Sequence, residues 1–174
     1  MSQSTPQTII SAKIMDYLSK GVVSNKKIVQ RMVMLRKRYP NYERYKHFTP
    51  AEIQPVINEL TRLGYINERR DVTSRVSGLL QGRYGLRKIK EKLQLQGYSS
   101  QLIKEVITEL EAEVQERSYD SITRLTKQKI ANIARKYPDE NIHKQKQRAL
   151  LFVLSKGYDF DEAEQIIKSL NSKL

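Results

Sequence analysis

Residues 60–110 read LTRLGYINERRDVTSRVSGLLQGRYGLRKIKEKLQLQGYSSQLIKEVITEL. Two Gly-Tyr pairs, Gly64-Tyr65 and Gly97-Tyr98, each close a run with helical periodicity. Ile53, Val56, Ile57 and Leu60 mark the apolar face before the first pair, and Leu86, Ile89 and Leu93 the face before the second. A glycine with an apolar residue four positions earlier and another directly after it signals a helix that ends in a left-handed glycine. The residue after the glycine is expected to pack back on the helix. Outward from this block the same form recurs at Gly21, between Tyr17 and Val22, and at Gly157, between Val153 and Tyr158.

These four glycines set the organisation. Ile10, Ile14 and Leu18 predict a first helix, and Ile28, Met32 and Leu35 a second one capped by Ser24. Thr49-Pro50-Ala51-Glu52 is a strong helix start, with Thr at the cap, Pro at the first position and Glu at the third. Pro55 removes one backbone donor from that helix and is expected to kink its first turn. Val72, Val76, Leu79 and Leu80 mark a helix from about Asn67 to Gln81, and the next runs from Leu86 to Gln96. Another is expected from Ser99 or Ser100 to about Arg117, with a joint near Tyr119-Asp120. Ile122, Leu125, Ile130 and Ile133 mark a helix to Tyr137-Pro138, and residues 141–156 and 160–170 give the last two. The pattern predicts nine helices and no strand. Helix, Gly-Tyr, short turn and helix recur, which divides the chain into three tandem three-helix repeats: 8–64, 65–117 and 118–174. Such arrays are elongated and curved, because each unit mainly meets its neighbours.

The totals set limits on function. The 174 residues carry 32 Lys and Arg against 19 Asp and Glu, a net charge of +13. That excess describes partners rather than fold, and nucleic acid is the first class of partner it suggests. With no cysteine in the chain, disulfides, thiolate catalysis and zinc-finger sites are excluded. Met1 to Gln7 is short, polar and uncharged, unlike a signal or transit peptide, and the longest apolar run, Ala149 to Leu154, is far too short to span a bilayer. A cytoplasmic protein without a membrane partner is expected.

Enzyme readings find no constellation. His47 and His143 lie in basic surroundings without metal-ligand spacing and read as surface histidines. Glu109, Glu113 and Glu116 recur at helical spacing and read as a solvated face. Gly82-Arg83-Tyr84-Gly85 lacks the Walker pattern and a preceding strand, so it reads as a turn between helices. No catalytic residue, metal or cofactor is expected.

Three basic clusters are the candidates for binding. The first holds Lys26, Lys27, Arg31, Arg36, Lys37 and Arg38, with Tyr39, Tyr42 and Tyr45 interleaved through the basic stretch that follows. The second is Arg83, Arg87, Lys88, Lys90 and Lys92, and the third Lys144, Lys146 and Arg148 at the start of the eighth helix. Cations at a helix start oppose the helix dipole, and an anionic partner is one explanation of that placement. No paired Asn/Arg reading head is visible, so contact with DNA would be through the backbone, salt-dependent and weakly specific. A tight helix–turn–helix is also how DNA-reading domains are built, which leaves a helix-turn-helix DNA-binding regulator as the alternative; a structural corner between helices is the commoner use of that turn.

The block also resembles the RecX family, bacterial modulators of the RecA recombinase. The matching residues are Leu60, Leu63-Gly64-Tyr65-Ile66-Asn67-Glu68, then Gly82, Gly85, Arg87-Lys88-Ile89, Lys92-Leu93 and Gly97-Tyr98. Lys144, Lys146, Ala149, Phe152, Leu154, Gly157-Tyr158 and Phe160 match the family's closing pattern. Asp71 stands where the family usually has an aromatic residue, and Leu86 where it has proline. The resemblance implies tandem three-helix repeats and a regulator that binds along the groove of the RecA–single-stranded-DNA filament. It further implies inhibition of filament growth, ATP hydrolysis and strand exchange. A monomer that touches single- and double-stranded DNA without sequence preference is expected.

Overall fold

The computed structural model describes residues 5–82 and 84–171, with the backbone alone for 111–118 and 171. Its described residues form nine α-helices and one 3-10 turn, without a strand. The helices are α1 (Pro6–Ser19), α2 (Asn25–Arg38), α3 (Pro50–Arg62), α4 (Glu68–Gln81), α5 (Leu86–Leu95), α6 (Ser100–Glu109), α7 (Glu111–Lys136), α8 (Ile142–Ser155) and α9 (Phe160–Asn171), and the 3-10 turn is Glu43–Tyr45. The all-α class expected from the periodicity is what the chain adopts.

Helix starts follow the cap chemistry. Ser24 Oγ accepts from the Lys27 N–H, and Thr49 Oγ1 from the Glu52 N–H. At α9 the box closes both ways: the Glu162 N–H donates to Asp159 Oδ1 and the Asp159 N–H to Glu162 Oε2, each at 2.9 Å. His47 is no free surface histidine. It is half-buried, and its Nδ1 donates to Glu52 Oε1 at 2.6 Å, tying the chain ahead of α3 to the first turn.

Helix ends follow the glycines. Gly21, Gly64, Gly97 and Gly157 have φ of 73°, 79°, 94° and 94°. The Val22 N–H reaches back to the Tyr17 carbonyl and the Tyr65 N–H to the Leu60 carbonyl, both at 2.9 Å, as a left-handed terminus requires. One detail differs from expectation. Tyr98 and Tyr158 pack inward, but Tyr65 stays 59% exposed and Ile66 takes the buried place. Ile66 is wholly apolar and enters the core without desolvating a hydroxyl.

The helix expected to run to Arg117 stops at Glu109, and α7 runs unbroken through Tyr119-Asp120 to Lys136. The break falls at Leu110 (φ −96°, ψ 5°), whose N–H is shared between the Val106 and Ile107 carbonyls at 3.2 Å each. Tightening of the last turn ends α6 there, without any glycine or proline to mark it.

Contacts group the chain into two units. The first comprises 1–72 with 94–102. Its core is Ile10, Ile14 and Tyr17 from α1, Ile28 and Met32 from α2, Ile53, Ile57 and Leu60 from α3, with Phe48 and Ile66. Each fully buried aliphatic or aromatic side chain here contributes about 1.5–3 kcal/mol. The second unit comprises 73–93 with 103–174, where α7, α8 and α9 pack on one another around Ile122, Val153, Tyr158, Ala163, Ile166 and Leu170.

One joint occurs in both units. In the first, Gly97 lies against the start of α2: a Cβ there would meet Ser24 Oγ at 2.8 Å and the Lys27 nitrogen at 3.5 Å. In the second, Gly157 lies against the start of α5, where a Cβ would meet Lys88 Cβ at 2.4 Å and the Lys88 nitrogen at 2.6 Å. The glycine that ends one helix thus seats on the first turn of another, about 70 residues earlier in the chain.

Candidate nucleic-acid interface

In α2 the buried pair Ile28 and Met32, with Leu35 half-buried, fixes which way the helix faces. Lys26, Arg31, Arg36, Lys37 and Arg38 are therefore turned to solvent, with Lys27 half-buried. Among the described residues none of these six cations makes an ion pair. Arg31 lies 5.8 Å from the Tyr17 ring centre and Arg38 5.6 Å from that of Tyr39. The positive end of α2 already has an anion, since the Asn25 N–H donates to Glu68 Oε1 at 2.7 Å.

The second cluster is arranged differently. Arg83 lies outside the described residues. Arg87 donates to the Leu154 carbonyl at 3.0 Å, satisfying one of the last acceptors of α8. The Gly85 N–H donates to the Lys156 carbonyl at 2.9 Å, so the negative end of α8 meets the positive end of α5. That contact accounts for Arg87 at a helix start without an external anion. Lys88 pairs with Glu91 at 2.8 Å, an interaction that holds the Glu91 carboxyl below its ordinary range. Lys92 sits 4.7 Å from the Tyr84 ring centre, and Lys90 is exposed without an ion pair among the described residues.

In the third cluster Arg148 grips Glu140 with Nε and Nη2 at 2.9–3.2 Å and lies 4.4 Å from the Tyr137 ring centre. Its guanidinium lowers the Glu140 pKa. Exposed Lys144 and half-buried Lys146 make no ion pair among the described residues. Arg87 meets the last turn of α8, whereas Lys146 is about 12 Å back along that helix, eight residues before Leu154. Among the described residues, cations that make no ion pair therefore cluster on α2, with Lys90, Lys92, Lys144 and Lys146 scattered over the second unit.

No protein-family model matches the chain. Curated relatives do. The regulatory protein RecX of Haemophilus influenzae strain PittEE is 27% identical over 141 residues, covering 78% of this chain and 88% of the relative. The same values hold for its counterpart in strain ATCC 51907 / Rd, and the strain PittGG protein is 28% identical over 123 residues, 70% of this chain and 76% of the relative. The crystal structure of RecX from Lactobacillus salivarius superposes with a TM-score of 0.73 at 17% identity, over 95% of this chain and 97% of that one. A second crystal structure, of regulatory protein RecX, gives 0.63 at 20% identity, over 92% and 71%.

The chain is similar to RecX proteins in sequence over most of its length, and it shares their fold. The residues that carry the RecX resemblance can now be given physical roles, and most are architectural. Leu60, Ile66, Ile89, Leu93 and Ala149 are buried. Gly64, Gly97 and Gly157 end helices, Glu68 caps α2, and Gly85 and Arg87 bind the end of α8. The two departures fit as well. Asp71 accepts a hydrogen bond from the hydroxyl of Tyr98, which is only 5% exposed, and Leu86 opens α5 half-buried.

Sequence reasoning missed a second group of cations. Lys129 lies 5.5 Å from the Phe152 ring centre, and Lys156 lies 5.6 Å from the same ring and 5.3 Å from Tyr84. Lys92, Tyr84, Lys156, Phe152 and Lys129 thus alternate cation and ring from α5 across α8 to α7, and none of the three lysines makes an ion pair among the described residues. Their ammonium groups are strung within about one Debye length of their neighbours, so an approaching anion feels them together. Lys129 and Lys156 stand 27 positions apart and neither belongs to a charge run, which is why spacing alone did not join them. Among the described residues, no three His, Cys, Asp or Glu side chains gather as metal ligands do. The side chains of Glu113 and Glu116 lie outside that description. Nor is any described helix long and apolar enough to cross a membrane.

Proposed function

We propose that this protein is a non-enzymatic, cytoplasmic regulator of the RecA recombinase. It docks as a monomer on the RecA–single-stranded-DNA filament and limits filament extension, ATP hydrolysis and strand exchange. The observation that carries this reading is the similarity to RecX proteins, which covers 78% of the chain. The α2 cations that make no ion pair among the described residues and the lysine–ring strip of the second unit supply faces for DNA phosphate or for acidic protein surface, and phosphate contacts carry no sequence information. Three tandem three-helix repeats suit such docking, and the recurrence of the glycine joint supports them. The deciding experiment adds the protein to RecA hydrolysing ATP on single-stranded DNA. A stoichiometric amount is expected to lower the rate. An unchanged rate at large excess refutes the proposal.

A further inference from the structure

Tyr39, Tyr42, Tyr45 and Phe48 are spaced three residues apart. The backbone follows the same step: the N–H groups of Tyr42, Tyr45 and Phe48 each donate to the carbonyl of the aromatic residue three before, at 3.1, 2.8 and 3.0 Å. Side chains three apart on such tight turns fall on one side. The rings accordingly gather, with centres 6.1 Å apart for Tyr39 and Tyr45, 4.9 Å for Tyr42 and Tyr45, and 5.1 Å for Tyr45 and Phe48. Phe48 anchors the series in the core at 1% exposure, while Tyr39 and Tyr42 remain 45% and 54% exposed at its outer end. Beside them the last turn of α2 presents Arg36, Lys37 and Arg38. The one acid in the intervening segment, Glu43, is paired with Lys46.

We propose that Tyr39 and Tyr42 are a stacking platform for the bases of single-stranded nucleic acid, with Arg36, Lys37 and Arg38 holding the adjoining phosphates. Cations in the last turn complement the dipole of α2, but the dipole gives no reason to leave two rings of an ordered aromatic series in water. Unpaired bases do. Every base offers a π-face, stacking tolerates any sequence, and a duplex hides those faces. The inference rests on the nucleic-acid part of the reading above and adds to it a preference for single strands that phosphate contacts alone do not produce.

Fluorescence anisotropy of the full chain, without RecA, tests this on four labelled 20-mers: oligo-dT, oligo-rU, an abasic deoxyribose-phosphate strand and a DNA duplex. Oligo-dT is expected to bind at least tenfold more tightly than the abasic strand. Tyr39→Ala and Tyr42→Ala should each remove most of that advantage and leave abasic binding unchanged, with the Phe variants restoring it. Equal oligo-dT and oligo-rU affinities assign the preference to the base faces, and a tenfold gap between them assigns it to the sugar and overturns stacking. Equal binding of oligo-dT, abasic strand and duplex overturns the platform while the electrostatic reading stands. No binding to any of the four overturns both. Alanine variants that weaken the abasic strand as much as oligo-dT show a structural role and also overturn it.

Discussion

The Gly85 N–H donates to the Lys156 carbonyl at 2.9 Å, placing the last turn of α8 on the first turn of α5. Gly157, the next residue, has no room for a side chain: its Cβ would stand 2.4 Å from Lys88 Cβ. Gly64 has a similar left-handed backbone at φ 79°, with nothing within 4 Å of its Cβ. The two glycines therefore separate conformational strain from packing. Gly64→Ala is expected to cost about 1–2 kcal/mol, the price of the left-handed region alone. Gly157→Ala adds a collision with backbone and should cost about 3–5 kcal/mol. Guanidinium unfolding of both variants checks this, and equal losses would show that the joint yields freely.

Arg87 divides structure from binding in the same way. Its guanidinium is committed to the Leu154 carbonyl, whereas neighbouring Lys90 makes no ion pair among the described residues. Arg87→Glu sets a carboxylate against the carbonyl end of α8 and is expected to lower the melting temperature by several degrees, at about 2–4 °C per kcal/mol for a chain of this size. Lys90→Glu should leave it within about 2 °C, because exposed charge changes away from such features are nearly neutral. A scan of both variants by circular dichroism settles the order.

These contacts also show what the sequence could and could not convey. Helix ends were legible because left-handed backbone selects glycine within a local pattern. The end of α6 was not, because Leu110 breaks the helix by sharing its N–H between Val106 and Ile107, which any residue can do. The basic clusters were legible as charge. Which cations are free was not, because the carbonyl that occupies Arg87 lies 67 residues away in the chain. The aromatic spacing of three was visible too, but its meaning depends on turns that repeat with the same step.

Asp71 and Tyr98 test a substitution within the family pattern. The Tyr98 hydroxyl donates to the Asp71 carboxylate at a mostly buried site. Tyr98→Phe is expected to cost about 1.5–3 kcal/mol, the range for a hydrogen bond to a charged group. In an Asp71→Phe background the same change should cost well under 1 kcal/mol, because the acceptor is gone. A double-mutant cycle by urea unfolding measures the coupling, and additivity would dissolve the pair.

Glu52 sets an acid limit on the first unit. Its pKa is lowered from the ordinary 4.5, first by the hydrogen bond from His47 and then by that from Thr49. A carboxyl whose folded pKa is depressed stabilises the fold above its unfolded value and loses that contribution as pH falls through the folded value. The native chain should therefore lose more thermal stability than Glu52→Gln as pH drops below 4.5. Above that pH their separation should be constant. The partly exposed site limits the effect to about 2 °C. Parallel curves from pH 6 to 3 would remove Glu52 from the account.

Salt dependence tells the free cations from the engaged ones. Each phosphate neutralised releases counterions and contributes about 0.9 to the slope of log affinity against log salt on duplex DNA. Arg31, Arg36 and Lys37 make no ion pair among the described residues, so each is available for a phosphate. The triple variant Arg31→Gln, Arg36→Gln and Lys37→Gln is expected to flatten that slope by about 2–3. Arg148 already holds Glu140 through three contacts of 2.9–3.2 Å. Arg148→Gln should change the slope by less than about 0.5 and register instead as a loss of stability, because Glu140 loses the guanidinium that lowers its pKa. Anisotropy titrations between 50 and 200 mM salt, the range over which such contacts lose most of their affinity, read both numbers. A slope that responds to Arg148 and ignores the α2 triple would move the proposed DNA-facing surface from α2 to α8.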